Sequence, residues 1–181
     1  PVFYDIVIKG KSAAVWGLHP RNIRKSVLLG SAISVLTFPV VYVVFKVVFG
    51  FSTQEFVQAG TVAYYFYSEF AYPFNIIYYS VWTLSVIALG EELFFRGFIH
   101  NKLEQRLSFV YAALTSSAIF TATHLMSITL FPLPMMVTYL ALTFIFSLLL
   151  ACTLHYTGNL IGCWFSHAIS NILAGVFIGI L

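Results

Sequence analysis

Charge is what this sequence has least of. Only 8% of its 181 residues are Asp, Glu, Lys or Arg, against about 25% in an average soluble domain. So few charged groups cannot clothe a water-facing surface, which excludes an ordinary soluble globular protein. Basic runs are also missing. The net charge is +3, and nowhere do Lys and Arg reach the density of a nucleic-acid-binding face; nucleic acid is not an expected partner. Cysteine is reduced to Cys152 and Cys163, both in apolar surroundings and without paired spacing. That excludes a disulfide framework or a Cys-based metal site and leaves two small core residues. The chain opens at Pro1 with no signal-peptide pattern, so the expectation is a fragment of a longer protein whose earlier spans are missing.

What is present is apolar: 60% hydrophobic and 18% aromatic residues. A backbone in lipid must satisfy its own hydrogen bonds, and helices do so within one segment. The expected fold is all-α, a polytopic transmembrane helical bundle of about five spans plus interfacial helices. It forms one membrane domain over 1–181, with a polar lead-in at 1–25. Spans are expected at 26–49, kinked at Pro39, and at 74–99, 110–128, 135–156 and 160–181. Between the first two, the tyrosines at 64, 65, 67 and 72 suit a short interfacial helix. Trp16, His19, His100 and His155 are expected in loops or at the interface. Gly158-Asn159 reads as a turn with Asn159 as N-cap. Gly158 and Gly162, and again Gly175 and Gly179, are four apart and allow close helix approach. Lys9, Lys11, Arg21, Arg24 and Lys25 flank the first span, and Lys102 and Arg106 separate the second and third. The connections at 50–73 and 127–134 have no Lys or Arg, so both basic loops are expected on the cytoplasmic side of a multi-pass integral membrane protein, in the cell membrane if the source is prokaryotic.

Against this background Gly90-Glu91-Glu92-Leu93-Phe94-Phe95-Arg96-Gly97 stands out. Each ionisable group at membrane depth costs about 2.5–3.5 kcal/mol on insertion scales. Glu92 and Arg96 are four apart, in the favourable order for a helical ion pair, while Glu91 points about 100° away. A structural clamp would explain Glu92 and Arg96 alone. His124 in the third span, one turn after Phe120, and His167 with Asn171 in the fifth span add polar groups from two more helices. Clustering all of them around one wet cavity costs less than satisfying each separately. A carboxylate, two imidazoles and an amide suit water activation. Glu91, aided by His124, would deprotonate water for attack on a peptide carbonyl. His167 and Asn171 would donate to the oxyanion, and Glu92 and Arg96 would stand behind the site.

Three motifs in order, Glu91-Glu92-x-x-x-Arg96, Phe120-x-x-x-His124 and His167-x-x-x-Asn171, resemble those of the CAAX prenyl protease and bacteriocin-processing (CPBP, or Abi) family. The resemblance spans about 74–181, with a weaker echo at Trp16-Gly17-Leu18. It implies an intramembrane glutamate endopeptidase working without cofactor or metal. By motif, it implies Glu91 and His124 as the water-activating pair, His167 and Asn171 as the oxyanion hole, and Glu92 and Arg96 as support. The implied partners are membrane lipid and a peptide or lipidated-protein substrate; prenylated C-terminal peptides, bacteriocin leaders and other membrane-anchored peptides all fit.

Two other readings fit the same residues. Glu91, His124 and His167 could supply three zinc ligands around an open position, although no H-E-x-x-H helix is present. A membrane scaffold or bacteriocin-immunity protein would use the cluster as a lock, since a fold is not an activity. One geometric tension accompanies every reading. Counted from the basic side, Glu91 and His167 lie roughly 13 Å deep at 1.5 Å per residue, and His124 lies deeper.

Overall fold

In lipid a helix is the cheapest way to pair every backbone N–H, and the apolar runs take that form. The computed structural model describes residues 4, 8–10, 12–50, 70–125 and 132–179. Among them are α1 (Ile23–Val48), α2 (Phe74–Glu104), α3 (Phe109–Thr123), α4 (Leu133–Thr157) and α5 (Leu160–Gly179), and no strand. α1, α2 and α4 are each long and apolar enough to cross a membrane; α3 and α5 are shorter apolar helices. The fold is all-α, a helical bundle with large apolar side chains such as Leu36, Val47 and Val81 exposed on its outside. The interfacial helix expected within 50–73 falls almost entirely outside the described residues.

Proline and local pitch shape the long helices. α1 carries Pro39 in its interior and becomes π-helical over Val43–Val48. α2 has two π-helical stretches, Thr83–Ala88 and Leu93–His100, with Glu91 and Glu92 on the α-helical turn between. π-helical insertions are frequent at functional sites. α3 is shorter than its apolar run predicts: helix ends at Thr123, and His124 caps it.

The α1–α5 seam is built from small residues. Glycine is required at Gly30 and Gly162, because a Cβ on Gly30 would strike the Gly162 carbonyl and one on Gly162 would strike Ser26. Serines stitch the same seam. Ser26 Oγ donates to Asn159 O at 2.9 Å and accepts from Gly162 N at 3.0 Å, and Ser34 Oγ donates to Ser166 O at 2.9 Å. Gly162→Ala is therefore expected to cost about 1–3 kcal/mol through overpacking. Gly90→Ala, whose Cβ meets nothing within 4 Å, should leave the thermal unfolding midpoint in detergent unchanged or raised.

One end of the bundle gathers both basic segments. Asn159 caps α5, its Oδ1 accepting from Ile161 N at 2.9 Å, while its Nδ2 donates to His19 O and Arg21 O at 2.6 and 2.7 Å. Gly158 makes the turn with φ +64°. Asn22 Nδ2 donates to Thr157 O at 3.0 Å, and His155 Nδ1 lies 3.2 Å from Glu104 Oε1. The exposed Arg21, Arg24, Lys25, Lys102 and Arg106 thus share this end. Two residues expected at the interface are instead buried. Trp16 packs on Gly97 and Phe98, where the missing Cβ of glycine admits the indole. His100 is enclosed beside Ser116 of α3, 3.2 Å from its hydroxyl. Neither is visible from local sequence, because the covering groups come from other helices.

Candidate active site

α2, α4 and α5 meet around Arg96. This guanidinium is only 2% exposed, a position tolerable for a permanent charge only if its donors are used. Nη1 donates to Glu92 Oε1 at 2.9 Å, and Nη2 donates to Ser147 Oγ at 2.8 Å and to Ser147 O at 3.4 Å. The Phe120 ring lies 4.5 Å from Cζ, adding a cation–π contact of about 0.5–2 kcal/mol. Phe95 meets the same ring edge-on, 5.0 Å between centroids.

Glu92 is fully buried. Its Oε1 accepts from Arg96 and also from His167 Nδ1 at 2.8 Å. His167 is thereby held through one nitrogen, and its ring is boxed edge-on by Phe120 and Phe146 at 5.8 and 6.0 Å. Its other nitrogen, Nε2, lies 3.7 Å from Glu91 Oε2. Glu91 is the open member of the group, with 34% of its side chain exposed. Neither Glu91 Oε2 nor Glu92 Oε2 has a hydrogen-bond partner among the described residues. The result is one polar chain, Ser147–Arg96–Glu92–His167–Glu91, running from a closed interior to an accessible carboxylate.

The structure thus brings Glu91, Glu92, Arg96 and His167 together. His124 stands to one side. Its Nδ1–H donates to Phe120 O at 3.0 Å, its ring rests 4.7 Å from that of Phe120 and 6.2 Å from Tyr139, and it forms no ion pair with Glu91 or Glu92 among the described residues. The difference in depth between Glu91 and His124 narrows, because α2 stays helical as far as Glu104. Glu91 lies about 13 residues from the end of α2 and His124 about 15 from the start of α3, both roughly 20 Å at 1.5 Å per residue. Asn171, one turn beyond His167, is half-buried, and its backbone oxygen accepts from Tyr79 Oη at 3.1 Å. Among the described residues no three His, Cys, Asp or Glu side chains are grouped to hold a metal ion. Sequence reasoning missed Ser147 and Phe146. The signal for Ser147 was a hydroxyl in the middle of an otherwise aliphatic and aromatic stretch of α4. A cavity of about 450 Å³ lies at the loop end, lined by Val15, Gly17, Asn101, Glu104 and His155, well away from Glu91.

The fold and the buried cluster define a class: a polytopic helical membrane protein with an ionisable centre inside an apolar bundle. Residues 73–173, more than half of the chain, match the family model described as type II CAAX prenyl endopeptidase Rce1-like. The chain belongs to this Rce1-like family, and membership implies a membrane protease acting on a protein substrate. No curated protein and no solved structure matches the chain.

Proposed function

We propose that this protein is an intramembrane glutamate endopeptidase that cleaves a peptide bond of a membrane-associated, prenylated CAAX-type substrate. The observation that carries this reading is the Glu91–His167 pair: a carboxyl side chain one third exposed whose buried Oε2 lies 3.7 Å from an imidazole, the far nitrogen of which is fixed by a buried carboxylate. Glu91, helped by His124, takes a proton from water. The hydroxide adds to the peptide carbonyl carbon. His124 offers the lone pair of Nε2, since its Nδ1–H is given to Phe120 O.

His167 stands between two carboxylates. Its imidazolium form has an N–H at each nitrogen, one donating to Glu92 and the other available to the oxyanion. Asn171 supplies the second oxyanion donor. The C–N bond then breaks, and Glu91 returns its proton to the leaving amine. Mutagenesis elsewhere puts one oxyanion donor at about 10²–10³ in rate. The basic end, with Arg21, Arg24, Lys25, Lys102 and Arg106, faces the cytoplasm by the positive-inside rule.

The test uses purified protein in detergent, a farnesylated peptide ending in a CAAX sequence, and mass spectrometry of the released tripeptide. His124→Ala and His167→Ala are each expected to lower kcat by on the order of 10² or more. Full activity of His124→Ala would remove it from the reaction. Cleavage should persist in a chelator; its loss there would favour a zinc enzyme. A second reading, a non-catalytic scaffold, is favoured by the closed cage around Arg96 and Glu92, and it predicts no tripeptide from any variant.

A further inference from the structure

Several intrahelical hydroxyls among the described residues are spent on their own helix. Thr37, Thr138, Thr153 and Thr157 each donate to the carbonyl four residues earlier, at 2.7 to 2.9 Å. That is the ordinary fate of a hydroxyl on an apolar helix. Ser147 of α4 differs. Its recorded side-chain hydrogen bond is with Arg96, Nη2 to Oγ at 2.8 Å, and its backbone oxygen takes the same nitrogen at 3.4 Å. Ser147 is 1% exposed, so water does not compete for this contact.

The consequence runs down the polar chain. Arg96 presents Nη1 to Glu92 Oε1 with its Nη2 anchored on α4. Glu92 Oε1 is also the acceptor for His167 Nδ1. The imidazole's Nε2 then points at Glu91. Three helices are therefore kept in register at the reacting end by a contact made two residues back along the chain. An arginine without its α4 anchor could swing its planar fork and take Glu92 with it.

We propose that Ser147 is a positioning residue for the Glu91–His167 pair, acting through Arg96 and Glu92 and touching neither substrate nor water. The inference rests on the glutamate-protease reading. A hydroxyl that acts only through intervening side chains changes turnover more than binding.

The experiment measures kcat and KM for the farnesylated CAAX peptide with the full chain. Ser147→Ala is expected to lower kcat about tenfold with KM within about twofold, at an unchanged thermal midpoint. Ser147→Thr, which restores the hydroxyl, should return kcat to within about twofold of the starting protein. Ser34→Ala, a buried hydroxyl at the α1–α5 seam, should leave kcat unchanged. Wild-type kcat for Ser147→Ala overturns the proposal. So does a fall in kcat that tracks a lowered thermal midpoint, or one that a folded Ser147→Thr does not reverse. Should the threonine variant not fold, the kcat–KM split of Ser147→Ala decides, since it removes a single oxygen. Glu91→Gln separates the two levels: if that variant still cleaves, the glutamate-protease reading itself fails; if it is inactive while Ser147→Ala is normal, only the role of Ser147 fails.

Discussion

Glu91→Gln is expected to abolish tripeptide release, with a loss on the order of 10²–10⁴ in kcat, while the protein inserts and unfolds as before. The substitution is nearly isosteric and removes the group proposed to carry the proton from water to the leaving amine. It should cost little stability because Glu91 is a third exposed and its Oε2 has no hydrogen-bond partner among the described residues. Glu92→Gln makes the contrast. That side chain is fully buried and accepts from both Arg96 and His167, so its loss should reduce stability and activity together. A Glu91→Gln protein that cleaves at a normal rate would end the glutamate mechanism. One that fails to fold would point to a structural lock.

Arg96→Met should have the largest effect on stability, about 3–5 kcal/mol, the cost of leaving one member of a buried ion pair uncompensated. Removing the guanidinium strips Glu92 of its charge-assisted partner and empties the face of Phe120. The double variant Glu92→Gln, Arg96→Met should recover most of that loss, because a buried pair replaced by neutral groups is often close to neutral in stability. Chemical unfolding in detergent measures both. If the single variant unfolds like the starting protein, Arg96 is not the keystone of the cluster. If the double variant is no better than the single, the loss comes from packing and not from an unpaired charge.

The two predictions separate what each carboxylate does, and the sequence already held the reason. Adjacent residues on a helix point about 100° apart, so Glu91 and Glu92 cannot share one environment. Four-residue spacing put Arg96 with Glu92. Other assignments were beyond local pattern. His167 reaches the cluster from α5, 75 positions later, and its bond to Glu92 depends on the approach of two helices. Ser147 was one hydroxyl in an aliphatic helix until Arg96 arrived from α2. His100 and Trp16 read as interfacial because their flanks are polar, yet α3 and Gly97 bury them.

By itself the sequence determined that this is a helical membrane protein, where its apolar helices run, and that a few ionisable groups sit at membrane depth. Hydropathy, length and backbone hydrogen bonding are local quantities, and a chain with so little charge has few alternatives. Only the tertiary structure decided which of those groups meet. It set His167 beside Glu91 and Glu92, packed His124 against the Phe120 ring, and gave Arg96 its anchor on Ser147. Such pairings depend on how close two helices come and how they are turned about their axes. At the α1–α5 seam small residues such as Gly30 and Gly162 fix that approach.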